Sequence, residues 1–231
     1  MTKKIIHYLG DMSQDYRSLM RYGTDIRIGE IAISQKHCVI VEQTHSALIH
    51  TCTLVDRGSG MGDRPKVPVC DGMSTDQPGV FLLIRTADCT PVLFSDSVKM
   101  VVSAVHSGRE GTRRNICKAA IDNMVKRWDC RANDIFALIG AGICARHYQV
   151  SDEIYDEFFS TIVDQGFDPS RCNDNHIDIQ DIIKQQLAAA GIPAGNVVSN
   201  DICTYEDLNY CSYRRDGSLN RQINLIGISY G

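Results

Sequence analysis

Two short apolar runs near the middle of the chain constrain its fold more than any other feature. Residues 80–84 and 100–105 are rich in β-branched or aromatic side chains and are bounded by polar residues, as buried strands are. The first run leads to Asp88 and Cys89, and the second ends at His106. We therefore expect two adjacent strands whose ends bring a thiol and an imidazole together, as a metal site or a nucleophile pair requires.

The composition indicates a globular protein with one large core. Of the 231 residues, 43% are hydrophobic and 23% are charged, which are ordinary fractions. We expect a single domain over 1–231, because no linker or internal repeat divides the chain. Strand and helix patterns follow one another without strict alternation. This order favours an α+β fold of packed mixed β-sheets flanked by helices.

Charge and cysteine usage restrict the partners and the compartment. A formal net charge of -4 gives no reason to expect nucleic acid or a membrane surface as a partner. No apolar run could cross a bilayer, and the first residues lack the apolar core of a signal peptide, so we expect a cytoplasmic protein. The ten cysteines are then expected to be reduced. No CxxC pair is present, which argues against a zinc finger or a thioredoxin-type site.

Hydrophobic periodicity predicts the remaining elements. Further strands are expected over 4–9, 26–33, 38–43, 47–55, 91–96, 135–143, 196–199 and 222–229. Helices are expected over 112–128, from Ser151 to a stop at Gly166, and over 178–190. The stretches 71–76 and 212–217 are predicted to be a polar turn and a polar loop.

His45, Cys89 and His106 form the principal candidate site, because each lies at a predicted strand end. Two imidazoles and a thiolate suit zinc, and three protein ligands leave a fourth position for water, as in catalytic zinc sites. Spacing alone is not specific, since seven histidines and ten cysteines offer many such triples. A buried apolar Cys89 and ordinary histidines are the alternative. Asp88 could orient a ligand, act as a general base or cap a backbone amide.

Basic side chains near this site are candidates for anion binding. The loop 106–112 has glycines and a following helix, which let backbone N–H groups face a phosphate, and Arg109 and Arg113 add charge. A solvated basic surface is the alternative. The side chains of the adjacent Arg214 and Arg215 cannot both point the same way, and we select Arg215 as the anion-binding candidate. Arg85 is a further anion candidate, and Tyr148 could stack on a planar substrate.

A series of short motifs, taken in order, resembles the YfiH-like family, also called the laccase-domain or multicopper polyphenol oxidase family. The motifs are Gln43-Thr44-His45, Asp71-Gly72-Met73-Ser74-Thr75, Thr86-Ala87-Asp88-Cys89-Thr90-Pro91-Val92-Leu93, Ala104-Val105-His106-Ser107-Gly108, Ile139-Gly140-Ala141-Gly142-Ile143, His176-Ile177-Asp178-Ile179, Cys203-Thr204 and Ser212-Tyr213-Arg214-Arg215-Asp216-Gly217. So many motifs in one order cover most of the chain from Gln43 onward.

The resemblance implies an α+β fold and zinc ligands at His45, Cys89 and His106. Members of the family are described as purine nucleoside phosphorylases, so a nucleoside and phosphate are the implied partners, with Gln43 among the substrate-binding residues. Deamination of adenosine is a further implied activity, for which Asp88 is the candidate proton carrier. Copper is less expected than zinc, because seven dispersed histidines do not suit several copper centres.

The sequence departs from the family pattern mainly on the side that would face the substrate. Arg109-Glu110 stands where the family has a Trp-Arg or Trp-Lys pair, Ser46 where it has Gly, Ala141 where it has Pro and Gln149 where it has Glu. The metal half therefore matches better than the loop. Two alternatives stay open. One is an amidase acting on cell-wall peptide precursors, through zinc-bound water or the Cys89 thiolate, and the other is a binding module with a vestigial metal site.

Overall fold

A computed structural model describes residues 2–230. The strands are β1 (Lys3–Leu9), β2 (Ile26–Ile28), β3 (Ile31–Ile33), β4 (Cys38–Ile40), β5 (Ile49–Thr51), β6 (Gly72–Thr75), β7 (Phe81–Thr86), β8 (Thr90–Asp96), β9 (Val101–Ser107), β10 (Ile135–Ile139), β11 (Val197–Ser199) and β12 (Gln222–Tyr230). The α-helices are α1 (Tyr16–Tyr22), α2 (Arg109–Arg113), α3 (Ile116–Trp128), α4 (Asp152–Asp164), α5 (Ile179–Ala189) and α6 (Tyr213–Asp216).

Two β-sheets pack face to face in the centre of the molecule. One has four strands in the order β1-β12-β7-β4, and the other has six in the order β11-β10-β8-β9-β6-β5. Side chains alternate along each strand, so Leu82 and Ile84 of β7 face the second sheet while Leu83 faces away from it. This alternation explains why the central runs are apolar throughout, because both faces of these strands are buried.

Each sheet is covered on its outer face. Helices α3, α4 and α5 pack on the six-stranded sheet through an apolar cluster that includes Met124, Phe158 and Ile183. Helix α1 and the β2–β3 hairpin cover the four-stranded sheet, where Leu19 and Ile26 are buried. The predicted α+β fold of packed mixed sheets with flanking helices is confirmed. Among residues 2–230, no helix combines the length and apolarity that a bilayer span needs.

The two central apolar runs are not adjacent strands, which corrects the expectation above. They are β7 and β9, and these lie in different sheets. The pair that joins Cys89 to His106 is instead β8 and β9, in which Pro91 lies opposite His106. Cys89 immediately precedes β8, so the thiol and the imidazole still meet at one end of the second sheet.

Other predicted elements differ in bounds or type. The expected polar turn at 71–76 contains the buried strand β6, where Ser74 bonds Ser103 Oγ at 3.0 Å and Thr75 donates to the Cys52 carbonyl at 2.9 Å. Their hydroxyls are therefore satisfied in the interior. The helix predicted over 112–128 is two helices, α2 and α3, separated at Asn115, whose φ is 54° and whose side chain caps α3. The expected strand over 26–33 is a hairpin, the expected loop at 212–217 contains α6, and α1 was not predicted.

Candidate metal and substrate site

Two of the three predicted ligands lie on connections that cross from one sheet to the other. His45 lies between β4 and β5, and Cys89 lies between β7 and β8. Because β4 and β7 are parallel neighbours, both connections leave the first sheet at the same end. His45 has a φ of 61° and Asp88 a φ of 83°. Such left-handed conformations are uncommon for residues other than glycine and are frequent at functional sites.

The three predicted metal ligands come together at this end of the sandwich. His45, Cys89 and His106 each offer a ligand atom, and these atoms lie within 4.8 Å of one another. The distance from Cys89 Sγ to His45 Nε2 is 3.9 Å, and the two imidazole centroids are 4.9 Å apart. His106 is buried, Cys89 is half-buried and His45 is exposed, so the cluster opens to solvent on the His45 side.

Asp71 organises this cluster, although it was not predicted as a site residue. Its buried carboxylate accepts hydrogen bonds from the backbone N–H groups of Thr44, His45 and Ser46, at 3.0, 3.0 and 2.6 Å. It also accepts one from His106 Nδ1 at 2.8 Å, which leaves His106 Nε2 free to bind a metal. The signal was present in the motif at 71–75, but a polar stretch beginning Asp-Gly is also typical of a turn.

Electrostatics favour charged forms of these buried groups. Burial alone would raise the pKa of Asp71, but hydrogen bonds from His106 and Ser46 outweigh it and hold this pKa well below its ordinary value. Burial opposes the charge on Cys89 as well, yet the neighbouring His106 lowers the pKa of the thiol to about 6. The pKa of His106 is in turn raised to about 9, against burial, by Cys89 and Asp71. The contact between the two groups therefore favours the thiolate form of Cys89, which is the form that binds a metal.

The space around the cluster suits a bound ion. A Cβ atom on Gly108 would lie 2.7 Å from Cys89 Sγ and 3.1 Å from His45 Cδ2, so only glycine leaves these side chains room at this position. Two imidazole nitrogens and one thiolate are donors that zinc accepts, with a fourth position open to solvent. The donor set and its geometry therefore fit a catalytic type of metal site.

Asp88 holds two loops at the edge of the cluster. Its Oδ1 accepts a hydrogen bond from Thr204 Oγ1 at 2.8 Å, and its Oδ2 accepts one from the backbone N–H of Arg214 at 2.7 Å. The left-handed backbone at Asp88 turns the carboxylate toward these loops and lets the next residue, Cys89, face the metal cluster.

A cavity of about 520 Å³ opens beside the three predicted ligands. This volume is in the range of small-molecule sites. It is lined by Gln43, His45, Arg85, Ala87, Asp88, Cys89, His106, Ile143, Tyr148, Tyr213, Arg214 and Arg221. The predicted residues Gln43, Arg85 and Tyr148 are thus brought together with the metal cluster.

Three arginines give the cavity a positive wall. Arg85 is held by Gln43 Oε1 at 3.3 Å and lies over the Tyr16 ring. Arg214 lies 5.3 Å from the centroid of the Tyr148 ring and donates to the Gln149 carbonyl at 2.8 Å. Arg221 was not predicted, because no motif marked it. Within residues 2–230 these three arginines have no carboxylate partner within salt-bridge distance.

The other predicted anion-binding residues lie outside the cavity lining. Arg109 and Arg113 both pair with Glu110, at 3.2 and 2.8 Å, so a carboxylate already neutralises part of their charge. Arg215 pairs with Asp216 at 2.8 Å and donates to the Thr204 carbonyl at 2.7 Å. Of the adjacent pair, it is Arg214 that lines the cavity. A phosphate-binding role for Arg109, Arg113 or Arg215 stays a prediction.

Residues 8–229 match the family described as multi-copper polyphenol oxidoreductase laccase. The chain belongs to this family. This laccase-domain chain is 32% identical to "purine nucleoside phosphorylase YlmD" of Geobacillus stearothermophilus, over 85% of its own length and 74% of that protein. It is 30% identical to "purine nucleoside phosphorylase Cgl2154/cg2365" of Corynebacterium glutamicum, over 95% of its length and 84% of that protein.

The laccase-domain fold is also seen in a solved structure. The crystal structure of Bacillus licheniformis hypothetical protein YfiH matches with a TM-score of 0.77 and 29% sequence identity, covering 91% of this chain and 78% of that one. The resemblance recognised from the sequence motifs is therefore confirmed.

Proposed function

We propose that this protein is a zinc-dependent purine nucleoside phosphorylase. The observation that carries the proposal is the position of the His45, Cys89 and His106 cluster at the edge of a cavity with a positive wall. Phosphorolysis needs an anionic co-substrate beside an uncharged nucleoside, and such a cavity can bind both. The names of the relatives support the same reaction for this chain.

Zinc is the ion that best fits the three proposed ligands. A thiolate with two imidazoles is a common zinc donor set, whereas several copper centres would need more clustered histidines. When bound, zinc supplies Lewis-acid chemistry and lowers the pKa of a coordinated water. Asp71 acts on this site through His106, because it fixes the ring orientation and the tautomer of that ligand.

Arg85, Arg214 and Arg221 are the proposed phosphate-binding residues. Guanidinium groups bind phosphate with paired N–H donors, and these three have no competing carboxylate within the described residues. They would orient a phosphate oxygen toward C1′ of the ribose. As the new C1′–O bond forms, the bond from C1′ to the purine nitrogen breaks and the base leaves.

The rings of Tyr148 and Tyr213, with Ile143, provide the apolar surface for a purine base. Asp88 is proposed to position the side of the cavity that carries Arg214 and Tyr213. One of its oxygens accepts a hydrogen bond from the backbone N–H of Arg214, and the other accepts one from the Thr204 hydroxyl. Both of its oxygens are engaged by these loops. A proton-transfer role would require Asp88 to release one of the two hydrogen bonds.

The test is turnover of inosine and adenosine by the zinc-loaded full chain, with and without phosphate. We expect the free base and ribose 1-phosphate, and no base release without phosphate. The Arg214→Ala variant should lose most of this activity, while Arg171→Ala is the matched control because its exposed side chain pairs with Asp181 and is not part of the cavity lining. If neither nucleoside is cleaved in the presence of phosphate, the proposal is wrong.

Amide hydrolysis by a free Cys89 thiolate with His106 as base is the second candidate. The short distance between the Cys89 thiol and the His106 imidazole, which lie within 4.8 Å of one another, favours this reaction. Zinc and a free thiolate nucleophile exclude each other at Cys89. If removal of zinc increases the hydrolysis of an amide substrate, the amidase is supported. If removal of zinc abolishes nucleoside cleavage, the phosphorylase is supported.

A further inference from the structure

A second cluster of metal-binding side chains lies outside the cavity. Cys144, His147, Cys203 and Glu206 each offer one ligand atom, and all four atoms lie within 4.8 Å of one another. Two tight turns build the cluster. Cys144 precedes the single 3-10 turn Ala145–His147, and the Glu206 N–H donates to the Cys203 carbonyl at 3.2 Å. Each turn therefore supplies one thiol and a second ligand three residues later, which is the short spacing typical of structural metal sites.

Four distances between the ligand atoms lie close to those of a tetrahedral shell. His147 Nδ1 lies 3.4 Å from Cys144 Sγ, 3.9 Å from Cys203 Sγ and 3.3 Å from Glu206 Oε1. Cys144 Sγ lies 3.8 Å from Glu206 Oε1. Zinc bonds of about 2.3 Å to sulfur and about 2.0 Å to nitrogen or oxygen give tetrahedral edges of roughly 3.3 to 3.8 Å. The four side chains are therefore already placed at about the spacing that a zinc ion requires.

The surroundings of the cluster balance its charge and orient its ligands. Two thiolates and a carboxylate around Zn²⁺ carry one net negative charge, and Arg146 offsets it by donating to Glu206 Oε1 at 2.6 and 3.1 Å. The Cys144 backbone N–H donates to Cys203 Sγ at 3.3 Å. The Tyr205 ring stacks on His147 with centroids 4.3 Å apart and fixes the imidazole plane. Such outer contacts are characteristic of built metal sites.

We propose that Cys144, His147, Cys203 and Glu206 form a second metal centre, which binds Zn²⁺ and has a structural role. Four protein ligands fill the tetrahedral shell and leave no position for a substrate. The two thiolates select zinc over calcium or magnesium. This centre takes no part in the bond changes of the proposed phosphorylase reaction, which involve only the first metal site.

The second centre would join two segments that shape the cavity. One segment follows β10 and continues from His147 into Tyr148, and the other continues from Cys203 into Thr204. Tyr148 lines the cavity, and Thr204 donates the hydrogen bond that holds Asp88. Zinc at the second centre therefore fixes both of these contacts in place.

A third cluster, formed by His50, Cys52 and Asp56, has weaker features. It offers three ligand atoms, and Asp56 already accepts hydrogen bonds from the Thr53 N–H at 2.7 Å and from the Thr53 hydroxyl at 3.2 Å. Its carboxylate closes a capping box on a short helical turn. This local role accounts for Asp56 without a metal.

The test uses Co²⁺ as a spectroscopic probe in the full-length, reduced Cys89→Ser chain. This background removes the only thiolate of the first site, so any thiolate-to-cobalt charge-transfer band must come from another centre. We expect one equivalent of Co²⁺ to give this band together with the intense visible absorption of tetrahedral cobalt. Adding Cys203→Ser or His147→Gln should abolish both signals, and Zn²⁺ should displace the cobalt.

Milder variants keep the test valid if a cysteine variant fails to fold. Glu206→Gln changes an exposed side chain and should weaken zinc binding at the second centre by about tenfold or more. His176→Gln is the matched control, since His176 belongs to no metal cluster among residues 2–230. Absence of the charge-transfer band in folded Cys89→Ser protein overturns the proposal.

Discussion

Replacement of Asp71 by asparagine tests the account of the first metal site most directly. Asparagine has the same shape, but one of its two terminal atoms is a donor rather than an acceptor. Asp71 Oδ1 faces the His45 N–H and His106 Nδ1, while Oδ2 faces the N–H groups of Thr44 and Ser46. All of these partners donate, so neither orientation of the amide can satisfy them.

The two orientations of the amide have different costs. If the asparagine oxygen stays on the His106 side, the N–H groups of Thr44 and Ser46 lose their acceptor. Each such loss costs about 1–3 kcal/mol, and since these groups are part-buried we expect a total of about 2–3 kcal/mol in the free energy of unfolding. If the amide turns, its NH₂ faces His106 Nδ1 and forces the ring proton onto Nε2. His106 then cannot bind the metal, and affinity should fall by about 10- to 100-fold.

The assay combines thermal unfolding with competitive zinc titration. A loss of 2–3 kcal/mol should lower the melting temperature by about 4–12 °C in a chain of this size. Asp129→Asn is the matched control, because that side chain is 99% exposed and within residues 2–230 forms a single surface ion pair, with Lys99 at 3.5 Å. If Asp71→Asn melts like the control and binds zinc within about twofold of wild type, Asp71 neither anchors the 44–46 loop nor orients His106.

Three further predictions follow from the same site. Gly108→Ala should abolish zinc binding at the first site without a large change in stability, because the added Cβ would lie 2.7 Å from Cys89 Sγ. Gly195→Ala, with open space around it, is the control, and if the two variants bind zinc equally well, the metal site does not depend on glycine at position 108. Arg214→Ala should raise the KM for phosphate at least tenfold, measured by initial rates, and an unchanged KM would exclude Arg214 from the phosphate site. Chelation of zinc should abolish nucleoside cleavage and addition of zinc should restore it; activity that survives complete removal of the metal would contradict a zinc-dependent reaction.

The fold class and the grouping of His45, Cys89 and His106 could be predicted from the sequence, whereas their role as metal ligands stays a prediction. Short apolar runs bounded by polar residues identified most strands, and the motifs around His45, Cys89 and His106 pointed to one site. The adjacent-strand expectation was wrong because apolar runs do not specify which sheet they join. The chain crosses between the sheets at both His45 and Cys89, and only the tertiary structure reveals that crossing.

Asp71, Arg214 and the second cluster show why the remaining site residues were missed. The stretch that contains Asp71 and β6 is rich in polar residues, so it resembles an exposed turn. These polar groups can be buried because they form hydrogen bonds with residues far away in sequence, such as His106 and Ser103. Adjacent arginines look alike in sequence, and the α6 turn decides which one faces the cavity. Cys144 and Cys203 are 59 positions apart, so no local zinc spacing joins them.

The position of β12 in the first sheet bears on how the protein folds. β12 lies between β1 and β7, and Lys3 pairs with Tyr230. β1 therefore cannot take its place during synthesis until the segment 222–230 has left the ribosome, and contacts of such high sequence separation slow folding. Within this sheet Asn224 bonds both Thr86, at 3.1 Å, and Gly10, at 3.3 Å. A ribosome-bound chain lacking β12 would therefore expose unpaired edges of β1 and β7 to chaperones, although β7 also carries the connection to Cys89.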